Sequence, residues 1–274
     1  MRITSLIIVF LLSIHATLLS AQSFDDSIPK YDSIILQSKS LKESRRINIW
    51  TPETYKINAT SLPVLYMLDG GIHEDFPHIA NTLSSLIQSN KITPIILVGI
   101  ENTQRRRDLT GPTIVESDKK IAPVVGGSFA FRTFILDELI PEINIQYRTT
   151  SVKGMIGESL AGLFVTETFL LQPESFDFYI AFDPSLWWNN QFLVKNAGGY
   201  LAKFPAQSKT FWFASSGTKD IRKPAKEFSN ILHSKKIDNL RWRYSPESKE
   251  KHNTIFRAKK EKAIIWVFQN MGKN

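Results

Sequence analysis

A chain of 274 residues that is 42% hydrophobic and 22% charged can fill one sizeable core, and no stretch is biased enough for extended disorder. It has no cysteine, which excludes disulfides, thiol catalysis and Cys-ligated zinc. The formal net charge is +8 and no nucleic-acid motif accompanies it, so the balance points to an anionic small substrate or a negatively charged envelope surface and away from nucleic acid.

The chain opens with Met1-Arg2, an apolar run from Leu6 to Leu12 that continues less strictly to Leu19, and small residues at Ser20-Ala21. This pattern predicts a signal peptide over 1–21 and export to the periplasm or beyond, with one domain over 22–274. Ser13, His15 and Thr17 interrupt the run too soon for a comfortable membrane span, so none is expected in the mature chain. Alternation over Tyr31–Leu41 and Arg46–Trp50 predicts two antiparallel strands. Pro63–Leu68 and Pro94–Ile100 are instead continuous apolar runs, as in strands buried on both faces of a parallel sheet, with a helix over Phe76–Ser89 between them. Gln104–Val125 is the longest connection without periodicity.

Ser128–Ile145 predicts a long amphipathic helix, broken or kinked at Pro141. Then come a strand (Ser151–Ile156), a helix (Leu160–Leu171), a strand (Phe176–Phe182), an aromatic loop at Trp187-Trp188 and a strand (Thr210–Ala214). A helix (Lys223–Ser234), a strand (Leu240–Tyr244) and a final helix (about Asn253–Phe268) close the chain. Such alternation predicts a mostly parallel sheet with an antiparallel N-terminal edge and helices on both faces.

The strongest local signal is Gly157-Glu158-Ser159-Leu160-Ala161-Gly162, lying between an apolar strand and an apolar helix. That is the setting of a nucleophile elbow, where the chain turns so sharply that the residues two before and two after the serine must be small. Ser159 is therefore a candidate nucleophile; the competing role is a helix cap. A serine hydroxyl needs a general base, and an acid to orient that base. In chain order Ser, acid, His, only His233 and His252 follow Ser159. His233 falls in an amphipathic helix, whereas His252 falls in a polar loop after the last strand and is the candidate base. Asp220, in the turn after Thr210–Ala214, is the candidate acid, with a helix cap as its alternative role. The backbone N–H groups of Leu160 and of Gly71, or its neighbour Gly70, are the candidate oxyanion donors.

With these pieces assembled, the chain resembles the putative-esterase family of α/β hydrolases, which includes enterobactin-type siderophore esterases, feruloyl esterases and mycolyltransferases. The resemblance is carried by Leu65–Gly71, Arg107-Asp108-Leu109-Thr110, Gly157–Gly162, Pro184-Ser185-Leu186-Trp187-Trp188, Gly217-Thr218-Lys219-Asp220 and His252. It implies the α/β-hydrolase fold and ester hydrolysis through an acyl-enzyme, without metal or organic cofactor. The Arg-Asp-Leu-Thr and Pro-Ser-Leu-Trp-Trp segments look most like the siderophore-esterase branch. That branch implies a substrate role for Arg107 on an anionic or catecholate group, and for Trp187 and Trp188 against aromatic rings. The sequence departs from the family at Glu158, where His or Tyr is more usual, and at Asp183, where Ser is frequent. A carbohydrate-linked acetyl or feruloyl esterase, an acyltransferase on the same residues, and a non-catalytic binding protein are the competing readings.

Overall fold

A computed structural model describes residues 26–121 and 124–269. The expected signal peptide lies outside them. Eight strands form one sheet in the order β1-β2-β4-β3-β5-β6-β7-β8. They are β1 (Asp32–Ser38), β2 (Glu43–Trp50), β3 (Leu62–Leu68), β4 (Ile96–Ile100), β5 (Thr149–Glu158), β6 (Phe178–Phe182), β7 (Lys209–Ser216) and β8 (Leu240–Glu247). The β1–β2 and β2–β4 pairs are antiparallel, and every pair from β4 to β8 is parallel. This is the α/β-hydrolase arrangement expected from the sequence.

Among the described residues, ten α-helices surround the sheet: α1 (Thr54–Ile57), α2 (Phe76–Gln88), α3 (Arg105–Asp108), α4 (Glu116–Ile121), α5 (Ser128–Thr133), α6 (Ile140–Gln146), α7 (Leu160–Leu171), α8 (Trp188–Leu201), α9 (Lys219–Lys235) and α10 (Ile255–Phe268). Successive side chains of a strand serve opposite faces. Val64, Tyr66 and Leu68 of β3 join Phe134, Phe164 and Phe228 on the face covered by α5–α9, while Leu65 and Met67 join Leu83 and Ile264 under α2 and α10. The apolar runs are thus continuous because both pleats are buried. Among the described residues, no helix is long and apolar enough to cross a membrane.

Two expectations change. The helix predicted over Ser128–Ile145 is not broken at Pro141; one π-helical stretch, Phe134–Leu139, joins α5 to α6, and Pro141 sits in the first turn of α6. The 104–125 connection contains α3 and α4 and is fastened at its middle. Trp188 Nε1 donates to the Gly111 carbonyl at 3.0 Å, and the buried Asp118 carboxylate accepts from Thr113 Oγ1 and the Asn189 N–H.

Candidate active site

All the groups of the site stand at the C-terminal ends of the parallel strands, where α/β sheets bind ligands. β5 ends at Glu158 and α7 begins at Leu160, leaving Ser159 alone at the apex with φ 61° and ψ −118°. That left-handed φ is strained for a residue with a side chain. It persists because the apex is tied down: the Ser159 N–H donates to the Phe182 carbonyl at 2.9 Å, and the Ser159 carbonyl accepts from Leu163 and Ser185. A Cβ on Gly157 would lie 2.7 Å from Ala161 Cβ, so the close approach demanded of these small residues is present. The Ser159 hydroxyl caps nothing. It lies 3.1 Å from His252 Nε2 and 3.5 Å from Ser185 Oγ.

His252 Nδ1 faces Asp183 Oδ2 at 2.9 Å. Asp183 is fully buried while the imidazole is 41% exposed, so the base is oriented from beneath and open above. The acid beside His252 is therefore Asp183, and Asp220 is a correction. α9 begins at Lys219, four residues earlier than its periodicity indicates, which places Asp220 in the first turn, exposed to solvent. Asp183 follows the last residue of β6 with φ 41°, and this backbone turn aims its carboxylate across the top of the sheet. Its Oδ1 accepts from the Ser216 N–H at the end of β7. The His252 loop is fixed to the same spot by the Gly217 N–H, which donates to the Glu250 carbonyl at 2.9 Å. A readable signal did exist: Asp183 ends a continuous apolar strand just as Ser159 does.

The oxyanion candidates are placed differently. Leu160 is the first residue of α7, so its N–H belongs to the unsatisfied first turn beside Ser159. Gly70 donates to the Ile100 carbonyl at 2.9 Å, which removes it as a candidate. Its backbone runs so close to Gly99 that a Cβ would lie 2.3 Å from Gly99 Cα, which makes glycine obligatory there. Gly71 donates to Glu74 Oε2 at 2.7 Å. Around this turn runs a polar chain: Arg105 grips Asp69 bidentately at 2.6 and 2.8 Å, and Asn102 Nδ2 lies 2.6 Å from both Asp69 Oδ1 and Glu74 Oε1. Arg105 also reaches the Glu158 carbonyl, 3.4 Å away. The Glu158 carboxyl is pushed up to about 8, first by burial and then by the nearby Asp75, Asp183 and Asp69.

Arg107 and the tryptophans are largely occupied with the fold. Arg107 binds Glu43 at 2.7 and 3.1 Å and Asp108 at 2.7 Å, in a cluster that also holds the buried Arg45. Arg107 also lines a shallow depression with Gln104, Arg105, Arg106 and Val124. Trp188 is buried and spends its N–H on Gly111. Trp187 is only partly buried, its ring 5.9 Å from that of Trp188 and tilted by 57°, so of the pair it has the free surface.

A hydroxyl bonded to an imidazole that is itself oriented by a buried carboxylate can shed its proton as it attacks a carbonyl. The family model described as "Putative esterase" matches residues 38–250. The chain belongs to this family. Its relatives include the ferri-bacillibactin esterase BesA of Bacillus subtilis, 29% identical over 64% of this chain and 65% of that protein. A siderophore triacetylfusarinine C esterase of Aspergillus fumigatus is 34% identical over 35% of this chain and 33% of that protein. The chain thus spans less than two thirds of the length of these curated relatives. Among solved structures, an IroE-like serine hydrolase from Shewanella oneidensis superposes with a TM-score of 0.81 at 27% identity, covering 88% of this chain and 80% of the other. The BES protein from Bacillus cereus, at 22% identity and a TM-score of 0.77 over 88% of this chain and 96% of its own, shares the fold.

Proposed function

We propose that this chain is a serine esterase acting on siderophore-type esters. The observation that carries the reading is the Ser159–His252–Asp183 hydrogen-bond chain at a strained elbow. In the reaction, Ser159 Oγ attacks the ester carbonyl carbon and its proton passes to His252 Nε2. The tetrahedral oxyanion collapses, and the alcohol leaves with that proton. Water, deprotonated in turn by His252, attacks the acyl-enzyme, releasing the acid and restoring the Ser159 hydroxyl. Asp183 holds the imidazole in the required orientation and offsets its charge while it is protonated.

The substrate class rests on the names of the relatives and on the surroundings of the site. Siderophore esters with catecholate groups are polar and aromatic, which suits the depression beside Arg105–Arg107 and the partly exposed Trp187. The N-terminal pattern of 1–21 adds the proposal that this activity is exported, to be checked by whether the mature protein begins near Gln22.

The deciding experiment compares wild type with Ser159→Ala and His252→Ala on p-nitrophenyl acetate and butyrate, then on enterobactin-type triesters against feruloyl esters. Activity abolished in both variants, with the triester turned over faster than the feruloyl ester, is the expected result. Wild-type rates equal to those of Ser159→Ala on every ester would sink the reading.

A further inference from the structure

The second oxyanion donor is expected on the Gly70-Gly71 turn, yet the Gly71 N–H is already engaged. It donates to Glu74 Oε2 at 2.7 Å, the length of a charge-assisted bond. Asn102 Nδ2 grips the other carboxylate oxygen at 2.6 Å, and the Glu74 N–H returns to the Gly71 carbonyl at 3.0 Å. The side chain is thus folded back over its own turn.

An amide has one hydrogen. A tetrahedral intermediate gains nothing from a donor already bound to a carboxylate, and its oxyanion would lie beside a second negative charge. Glu74 is half-buried on the turn between β3 and α2 and is held there by hydrogen bonds alone, with no ion pair among the described residues. Burial raises its pKa and so works against the charge in this seat, offsetting part of what the hydrogen bonds from Gly71 and Asn102 contribute.

We propose that Glu74 gates the oxyanion hole: its carboxylate holds the Gly71 amide in the resting protein and yields it to the substrate carbonyl oxygen when Ser159 attacks. This rests on the serine-esterase reading and adds to it a step that every substrate has to drive. Glu74 is a positioning residue in this scheme, acting through the Gly71 N–H and taking no proton.

The test measures p-nitrophenyl acetate hydrolysis and trifluoromethyl ketone inhibition for wild type, Glu74→Ala, Glu74→Gln and Ser159→Ala. A trifluoromethyl ketone forms a serine hemiketal whose oxyanion needs the freed donor, whereas ground-state binding does not. For Glu74→Ala the expected result is kcat raised about tenfold with KM little changed, and inhibitor binding tightened by a similar factor. Glu74→Gln keeps the shape and loses the charge; it is expected to fall between, and it carries the test alone if Glu74→Ala does not fold. A folded Glu74→Gln with kcat and inhibitor affinity unchanged or lowered overturns the gate and leaves Glu74 a brace for the turn. That outcome, with wild type still far faster than Ser159→Ala, removes the gate without touching the esterase reading; wild type no faster than Ser159→Ala removes both.

Discussion

The carboxylate of Asp183 is buried, accepts the Ser216 N–H on one oxygen and faces His252 Nδ1 with the other. An amide in its place would keep the shape but offer the imidazole the wrong tautomer. Asp183→Asn is therefore expected to lower kcat on p-nitrophenyl acetate by about 10²–10⁴-fold. Asp220→Ala, on the exposed first turn of α9, is expected to stay within about twofold of wild type, since exposed positions seldom matter; equal losses in the two variants would contradict the assignment. Glu158 calls for a pH measurement. Its carboxyl titrates at about 8 in the folded chain and near 4.5 when unfolded, so between those values the folded state holds the extra proton. Stability from this group is present at low pH and is lost as pH rises through that window, by at most about 1.4 kcal/mol per pH unit. Glu158→Gln should flatten the fall in melting temperature between pH 5 and pH 9, and superimposable profiles would refute the argument.

The elbow joining β5 to α7 works as one element, because its small residues and its strained apex depend on each other. Gly157→Ala places a Cβ 2.7 Å from Ala161, which forces strand and helix apart. The expected cost is about 1–3 kcal/mol in urea unfolding, with esterase activity falling far more than stability, since Ser159 Oγ leaves its 3.1 Å contact with His252. Unchanged stability and activity would show that the turn has room to spare. The 104–125 connection reads as a loop because its ties are made to a distant segment. Asn189, Asn190 and Gln191 take three successive left-handed φ values, and this turn presents Asn189 to Asp118, Thr113 and Ile114. Trp188→Phe removes the N–H that holds Gly111. It is expected to cost about 1–2 kcal/mol and to speed amide hydrogen exchange across α3 and α4, whereas exchange like wild type would mean that ring packing alone holds the segment.

At the scale of the molecule, a buried ion pair joins two of the described helices. Arg132 of α5 binds Glu167 of α7 at 2.6 Å, both nearly inaccessible, and Ser128 also donates to that carboxylate at 2.6 Å. Burial pulls the Arg132 pKa down, the sign of a guanidinium that depends on its partner. Glu167→Ala strands that charge and is expected to cost about 3–5 kcal/mol, a drop in melting temperature of roughly 6–20 °C for a domain of this size. A drop under about 2 °C would mean that water reaches Arg132. The pair matters beyond its own energy, because α7 carries the Leu160 amide and α5 anchors the end of the 104–125 segment.

The sequence by itself determined the sheet, the helices and two members of the site. Continuous apolar runs separated by amphipathic helices specify parallel strands buried on both faces. Small residues around Ser159, between such a strand and such a helix, specify the turn, and the order of the chain left His252 as its partner. These are local signals, written in neighbours along the chain. Only the tertiary structure decided which carboxylate meets His252. Asp220 and Asp183 both follow apolar strands, but periodicity starts α9 four residues too late, and the turn at Asp183 takes its direction from its hydrogen bonds to β7. Likewise, Arg107 reads as a free cation until Glu43 and Asp108 fold against it, and the Gly71 amide as a free donor until Glu74 closes on it. Hydrogen bonds between groups far apart in the chain, or folded back within one turn, leave no periodic trace, because they depend on where side chains point once the strands have been brought side by side.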